Sequence, residues 1–151
     1  MKKLLIFAGL ILLFSCIEVS AQNRKSVGAA EVNGTFRDYF GGKFKDNYSE
    51  IRILAIGGGK LRVAFDLTYP YLTAANEATA NVGTADGTAT IEGDTAIFFP
   101  DENGRCKITI RFVKPGTIRV EQSGADSECG FGFNVSASGT YRKTSRAKPK
   151  F

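Results

Sequence analysis

The chain has no histidine and no tryptophan, and only one methionine, three cysteines and four prolines in 151 residues. Without histidine there is no Ser-His-Asp or Cys-His catalysis, no imidazole zinc ligand and no proton shuttle of the usual kind near neutral pH. The cysteines show no C-x-x-C spacing, so a thiolate metal site or redox pair is not indicated. Long apolar runs are equally scarce. The longest, Leu4 to Phe14, is about 11 residues against the roughly 20 that a bilayer-crossing helix needs.

That short run has its own meaning. Lys2 and Lys3 precede it and Val19-Ser20-Ala21 follows it, the order of a secretory signal peptide over residues 1–21 with cleavage between Ala21 and Gln22. Cys16 keeps a second route open, because Leu13-Phe14-Ser15-Cys16 loosely resembles a bacterial lipoprotein box that would leave a lipid-bearing cysteine. Bulky Phe14 stands where that box has a small residue, so cleavage after Ala21 is preferred. The expected location is periplasmic or extracellular. Such a compartment is oxidising, and the two cysteines that remain, Cys106 and Cys129, are expected to form a disulfide.

The formal net charge is +5, from 20 basic and 15 acidic residues. Five of the basic ones, Arg142, Lys143, Arg146, Lys148 and Lys150, fall in the last ten positions, where there is no acid. The rest of the exported chain is close to neutral. The expected organisation is a flexible polar leader at 22–29, one domain at 30–143 and a basic tail at 144–151. The tail reads first as a solvated terminus, and second as a contact for anionic polymer or lipid. Nucleic acid is not an expected partner of an exported chain.

Within the domain, period-2 alternation dominates. Ala30, Val32, Gly34 and Phe36 alternate with polar residues; so do Leu61, Val63, Phe65 and Leu67, and again Cys106, Ile108, Ile110 and Phe112. Gly57-Gly58-Gly59 reads as a hairpin turn rather than a phosphate loop, since Lys60 leads directly into a strand. Tyr69-Pro70-Tyr71 ends one strand, Leu72 to Asn81 is readable as helix or strand, and Asp86-Gly87 and Gly93-Asp94 punctuate short strands. Asp101-Glu102-Asn103-Gly104 carries the strongest hairpin signal. The expected fold is all-β: a small antiparallel barrel, lipocalin-like, or a sandwich, of about eight short strands with one disulfide. A barrel is preferred because closure hides strand edges.

Three carboxylate pairs, Glu92 with Asp94, Asp101 with Glu102 and Asp126 with Glu128, sit at predicted turns and read as turn chemistry rather than acid-base catalysis. No catalytic residue, cofactor or metal is expected. The 12 phenylalanines and 5 tyrosines fall largely on strand positions, where they fill a core or line a ligand cavity.

The terminal block carries a resemblance. Cys106-Lys-Ile-Thr-Ile-Arg-Phe112, Glu128-Cys-Gly-Phe-Gly-Phe-Asn-Val135 and Gly139-Thr-Tyr-Arg142, with Thr88 to Asp94 and Ala96, are similar to small exported bacterial domains that end in a CGFG-x-NV…GxY pattern. The likeness covers about residues 84–143. It implies an exported β-domain of a group whose molecular function is not established, and whose segments accompany domains described as lysozyme-inhibitor-like. The expectation is thus a non-catalytic envelope binding domain for a small molecule or an envelope protein. Inhibition of a cell-wall hydrolase such as lysozyme, and docking of the basic tail on anionic polymer, are the alternatives.

Overall fold

The computed structural model describes residues 26–101 and 104–151. The signal-peptide features, including Cys16 and the junction of Ala21 with Gln22, lie outside the described residues, as does Glu102.

Eight strands close into one antiparallel barrel in simple up-and-down order. They are β1 (Gly34–Tyr39), β2 (Tyr48–Gly57), β3 (Lys60–Leu72), β4 (Ala78–Glu92), β5 (Thr95–Phe98), β6 (Lys107–Lys114), β7 (Thr117–Ser123) and β8 (Gly139–Ser145). β8 pairs with β1, with Phe36 opposite Lys143 and Arg37 opposite Arg142, so no edge of the sheet is left along the closed part. Alternation decides the two faces. Phe36, Ile51, Ile53, Val63, Ile108, Ile110 and Ile118 point inward and are completely buried, whereas Arg62, Arg111 and Arg119 point outward and are exposed. A charged exterior around an apolar interior is the inverse of a membrane-spanning barrel, whose lipid-facing band is apolar. No helix among the described residues is long and apolar enough to cross a membrane.

The interior is filled. Phe65 stacks on Phe98 with centroids 5.4 Å apart, Phe36 meets Phe112 edge-on at 6.5 Å, and Tyr141 lies fully inside with its hydroxyl donating to the Ala137 carbonyl at 3.0 Å. Branched and aromatic side chains from opposite walls meet in a barrel of this strand number and leave little room for a guest. The closed barrel is the fold expected, and its interior is the filled core rather than the ligand cavity that the aromatics also allowed.

The barrel has a tight end and a loop end. At the tight end β2–β3, β4–β5 and β6–β7 are joined by two-residue turns. In the first, Gly58 and Gly59 both have positive φ (58° and 68°), the geometry of a hairpin turn that follows strand twist. A single helical turn, α1 (Ala29–Val32), caps this end and buries Val32 in the core. The alternation that begins at Ala30 is therefore a helical turn up to Val32 and strand only from Gly34. Val27 packs against the core, inside the segment read as leader. Lys143 locks the cap: its Nζ donates to the carbonyls of Ala30, Glu31 and Asn33 at 3.2, 2.6 and 2.8 Å and lies 5.0 Å over the Phe36 ring.

The loop end carries the longer connections and the Cys106–Cys129 disulfide, whose Cα atoms are 5.0 Å apart. It ties the β5–β6 loop to a 3-10 turn at Asp126–Cys129 in the β7–β8 connection. Asn103, like Glu102, lies outside the described residues; β5 ends at Phe98 and strand resumes at Lys107 instead of Arg105, so the two strands are not joined by a two-residue hairpin.

Two strands are not short. β3 pairs with β2 only as far as Glu50 opposite Asp66, but its pairing with β4 continues through Leu67 opposite Gly83 to Leu72 opposite Ala78. Tyr69-Pro70-Tyr71 does not end the strand, the ambiguous Leu72 to Asn81 is a turn flanked by strand, and Asp86-Gly87 lies within β4. Where β2 and β3 part, Ser49 Oγ accepts from Thr68 N at 3.1 Å and donates to Thr68 O at 3.4 Å, replacing the lost ladder bonds. Pro70 is tolerated beyond that point because the strand there has become an edge.

Candidate functional site

Because inner and outer positions alternate along β3, Tyr69 and Tyr71 continue the inward series of Leu61, Val63, Phe65 and Leu67. They lie above the rim, so the same parity that buries Leu67 leaves both rings exposed, at 39 % and 36 %. The rings stack with centroids 6.4 Å apart and an interplanar angle of 28°. Asn81 faces Tyr69 across the β3–β4 ladder.

The opposite wall comes from the glycine-spaced segment after Cys129. Phe131 is buried over Gly83, where an added Cβ would come within 2.8 Å of the ring. It plugs the mouth of the barrel. Gly132 N donates to Val82 O at 3.2 Å, and a Cβ at Gly132 would come within 2.7 Å of the same carbonyl. Both glycines are therefore required by close approach of backbone or ring. The next residue, Phe133, is turned out and 79 % exposed, and its carbonyl accepts from Asn81 Nδ2 at 2.7 Å.

Tyr69, Tyr71, Asn81, Phe133 and Asn134 thus line an open cleft of about 430 Å³ at the loop end. None of the five is charged. Exposed Val82 adjoins it. Large rings on a paired ladder and on a backbone-pinned segment are thus left in contact with water, an exposed aromatic patch on the rim.

Other residues singled out from sequence have local roles. Glu128 accepts from Ala125 N at 2.8 Å, Asp126 accepts from Gln122 Nε2 at 3.2 Å, Asp94 accepts from the Thr95 hydroxyl at 2.7 Å, and Asp101 lies 3.7 Å from Arg105. The pairs Glu92 with Asp94 and Asp126 with Glu128 lie at opposite ends of the barrel and do not converge. Cys106 and Cys129 are buried in their disulfide. No group of three or more cysteine, aspartate or glutamate side chains among the described residues is placed to hold a metal ion.

Asp38 lies on the inner face at the loop-end rim. Burial raises its pKa above the ordinary 3.8, opposed by a hydrogen bond from the Thr140 backbone. Burial, reinforced by Asp38, also raises the Tyr141 phenol.

The basic tail is held against the barrel. Pro149 is buried, the Lys150 carbonyl accepts from Arg52 Nη1 at 2.7 Å, and the Phe151 ring lies 5.2 and 6.0 Å from the guanidinium groups of Arg62 and Arg52. Phe151 lines a depression where small Ala64 lies among Arg52, Asp66 and Asp86. This differs from the undocked terminus expected of so basic a segment: a short stretch of proline and phenylalanine finds apolar surface and cations on the wall of β2 and β3.

Sequence reading missed the aromatic cleft. The signal was Tyr-x-Tyr on a strand together with the lone Phe133 after Gly132, and it was masked because Tyr69-Pro70-Tyr71 looked like a strand end. Compared with known proteins, the chain matches no family model, no curated protein and no solved structure. The class that fold and site define is a filled, disulfide-stapled β-barrel with an aromatic cleft on its rim.

Proposed function

We propose that this chain is an exported, non-catalytic binding domain of the bacterial envelope, and that it holds its partner at the loop-end cleft rather than inside the barrel. The observation that carries the reading is Phe133, 79 % exposed and held by the Asn81 hydrogen bond opposite the stacked Tyr69 and Tyr71. Burying such rings against a partner is favourable, at about 25 cal/mol per Å² of apolar area, and a backbone already held in place lowers the ordering cost of binding. The disulfide and the buried Phe131 fasten the backbone at that end.

Co-sedimentation with a bacterial envelope fraction tests it. Wild-type protein should sediment with the envelope, and the double variant Tyr71→Ala/Phe133→Ala should stay in solution. Equal sedimentation of the two proteins, or none by the wild type, overturns the reading.

A further inference from the structure

We infer that the ligand of the cleft is a neutral glycan chain, which deepens the proposed function and rests on it. Charge, polarity and shape of the cleft favour that ligand. Charged residues make up 23 % of the chain, and below the rim the outward positions of β3 and β4 carry Arg62, Asp66 and Asp86. Above the rim the cleft-lining positions are Tyr69, Tyr71 and Asn81, with Phe133 and Asn134 across from them. A phosphate- or carboxylate-rich polymer would find no cation there.

A lipid chain fits no better. The barrel interior is filled, the cleft is open, and burying two side-chain amides and two phenols against hydrocarbon would strand their hydrogen-bonding groups. A sugar satisfies both chemistries at once. Its C–H faces carry slight positive charge and suit the electron-rich faces of Tyr69, Tyr71 and Phe133. Its hydroxyls exchange hydrogen bonds with phenols and amides. The Asn81 bond to Phe133 O at 2.7 Å uses one of the four hydrogen-bonding sites of that amide and fixes its orientation for the others. Tyr69 and Tyr71, two residues apart on one strand, set near-parallel rings with centroids 6.4 Å apart, so the aromatic surface extends along the strand and suits a chain of sugar units better than a single one.

The test is titration of the purified disulfide-bonded chain with cellohexaose and chitohexaose as neutral probes, oligogalacturonate as an anionic one and a zwitterionic detergent as a lipid-like one, followed by amide NMR. At least one neutral oligosaccharide should give saturable shifts confined to residues 69–71, 81–83 and 131–135, unchanged by salt. Tyr71→Ala and Phe133→Ala should each weaken that binding by about tenfold, equivalent to 1.4 kcal/mol. Tyr71→Phe and Phe133→Tyr should retain most of it, and exposed Tyr39→Ala, away from the cleft, should change nothing. Melting curves of the alanine variants close to wild type keep a folding defect from imitating the result.

Shifts caused only by the anionic or detergent probe overturn the glycan assignment. So does photo-cross-linking from position 133 that captures a protein, such as a cell-wall hydrolase, from the envelope fraction. In both cases the cleft as a binding site survives if Tyr71→Ala/Phe133→Ala abolishes co-sedimentation. Loss of neither glycan shifts nor sedimentation in that variant removes both readings.

Discussion

The two ends of the barrel are built on different principles. The tight end uses two-residue turns, a single helical turn and one lysine that bonds three carbonyls, so nearly all of its order is local in sequence apart from Lys143. The loop end spends eight residues between β5 and β6 and fifteen, 124–138, between β7 and β8, and holds them by a disulfide, a phenylalanine plug and the β3–β4 hairpin that stands above the rim. Long connections carry unpaired backbone and need such outside fastening. Of the exposed cleft aromatics, Phe133 stands on the disulfide-tied connection and Tyr69 and Tyr71 on the β3–β4 hairpin, so the cleft is carried by the end that needs this fastening.

The largest test of that contrast removes the staple. Cys106→Ser/Cys129→Ser should lower stability by about 3 kcal/mol, the chain-entropy value for a loop of this length, read from urea denaturation of both proteins. Hydrogen exchange should quicken in residues 99–106 and 124–138 and leave the turns at 57–60 and 114–117 alone. Uniform acceleration over the whole barrel would mean that the ends are not separable.

Lys143→Met is the counterpart at the tight end. The methionine keeps the apolar stem, while the carbonyls of Ala30, Glu31 and Asn33 lose their donor. A loss of about 1–3 kcal/mol is expected, with faster exchange of the α1 amides and an unchanged cleft. Stability equal to wild type would show that water replaces the ammonium without cost.

The smallest effect lies in pH. Burial raises Asp38 above 3.8, so the native state binds this proton more tightly than the unfolded chain. Its contribution to stability is fully present below that unfolded value and is lost as pH rises through the raised native one. Asp38→Asn should therefore match wild type at the most acidic pH and surpass it at neutral pH, measured as urea midpoints across that range. An asparagine variant less stable at pH 7 would mean that the charge-assisted bond from Thr140 outweighs desolvation.

Much of the barrel was legible because local signals agreed with the global fold. Ile51 to Phe65 shows a mostly apolar run, a glycine turn and then alternation, and the structure pairs Ile51 with Phe65 and Ile53 with Val63 as a hairpin. The disulfide was legible from the expectation of export and from the cysteine pair left after residue 21. Ala78-Thr79-Ala80-Asn81 was not, since alanine and asparagine are weak strand formers; they are strand because Tyr69 to Leu72 pair with them. Gly87 reads as a turn residue but lies within β4, where an added Cβ would come within 3.0 Å of the Phe98 ring. In each case the deciding contact comes from a neighbouring strand rather than from the residue's own propensity.

The cleft shows that division most plainly. Composition and spacing by themselves determined an all-β chain with a polar outside, an apolar inside and one cysteine pair, because period-2 patterning reports which face of a strand meets water. Only the tertiary structure decided where β2 leaves β3, and hence that Tyr69 and Tyr71 stand above the rim although they belong to the inward series. It also decided that Gly83 and Gly132 bring Phe133 opposite them, and that Pro149 and Phe151 rest on the outer wall. Those outcomes depend on strand lengths and on backbone approaches between distant segments, which no local pattern encodes.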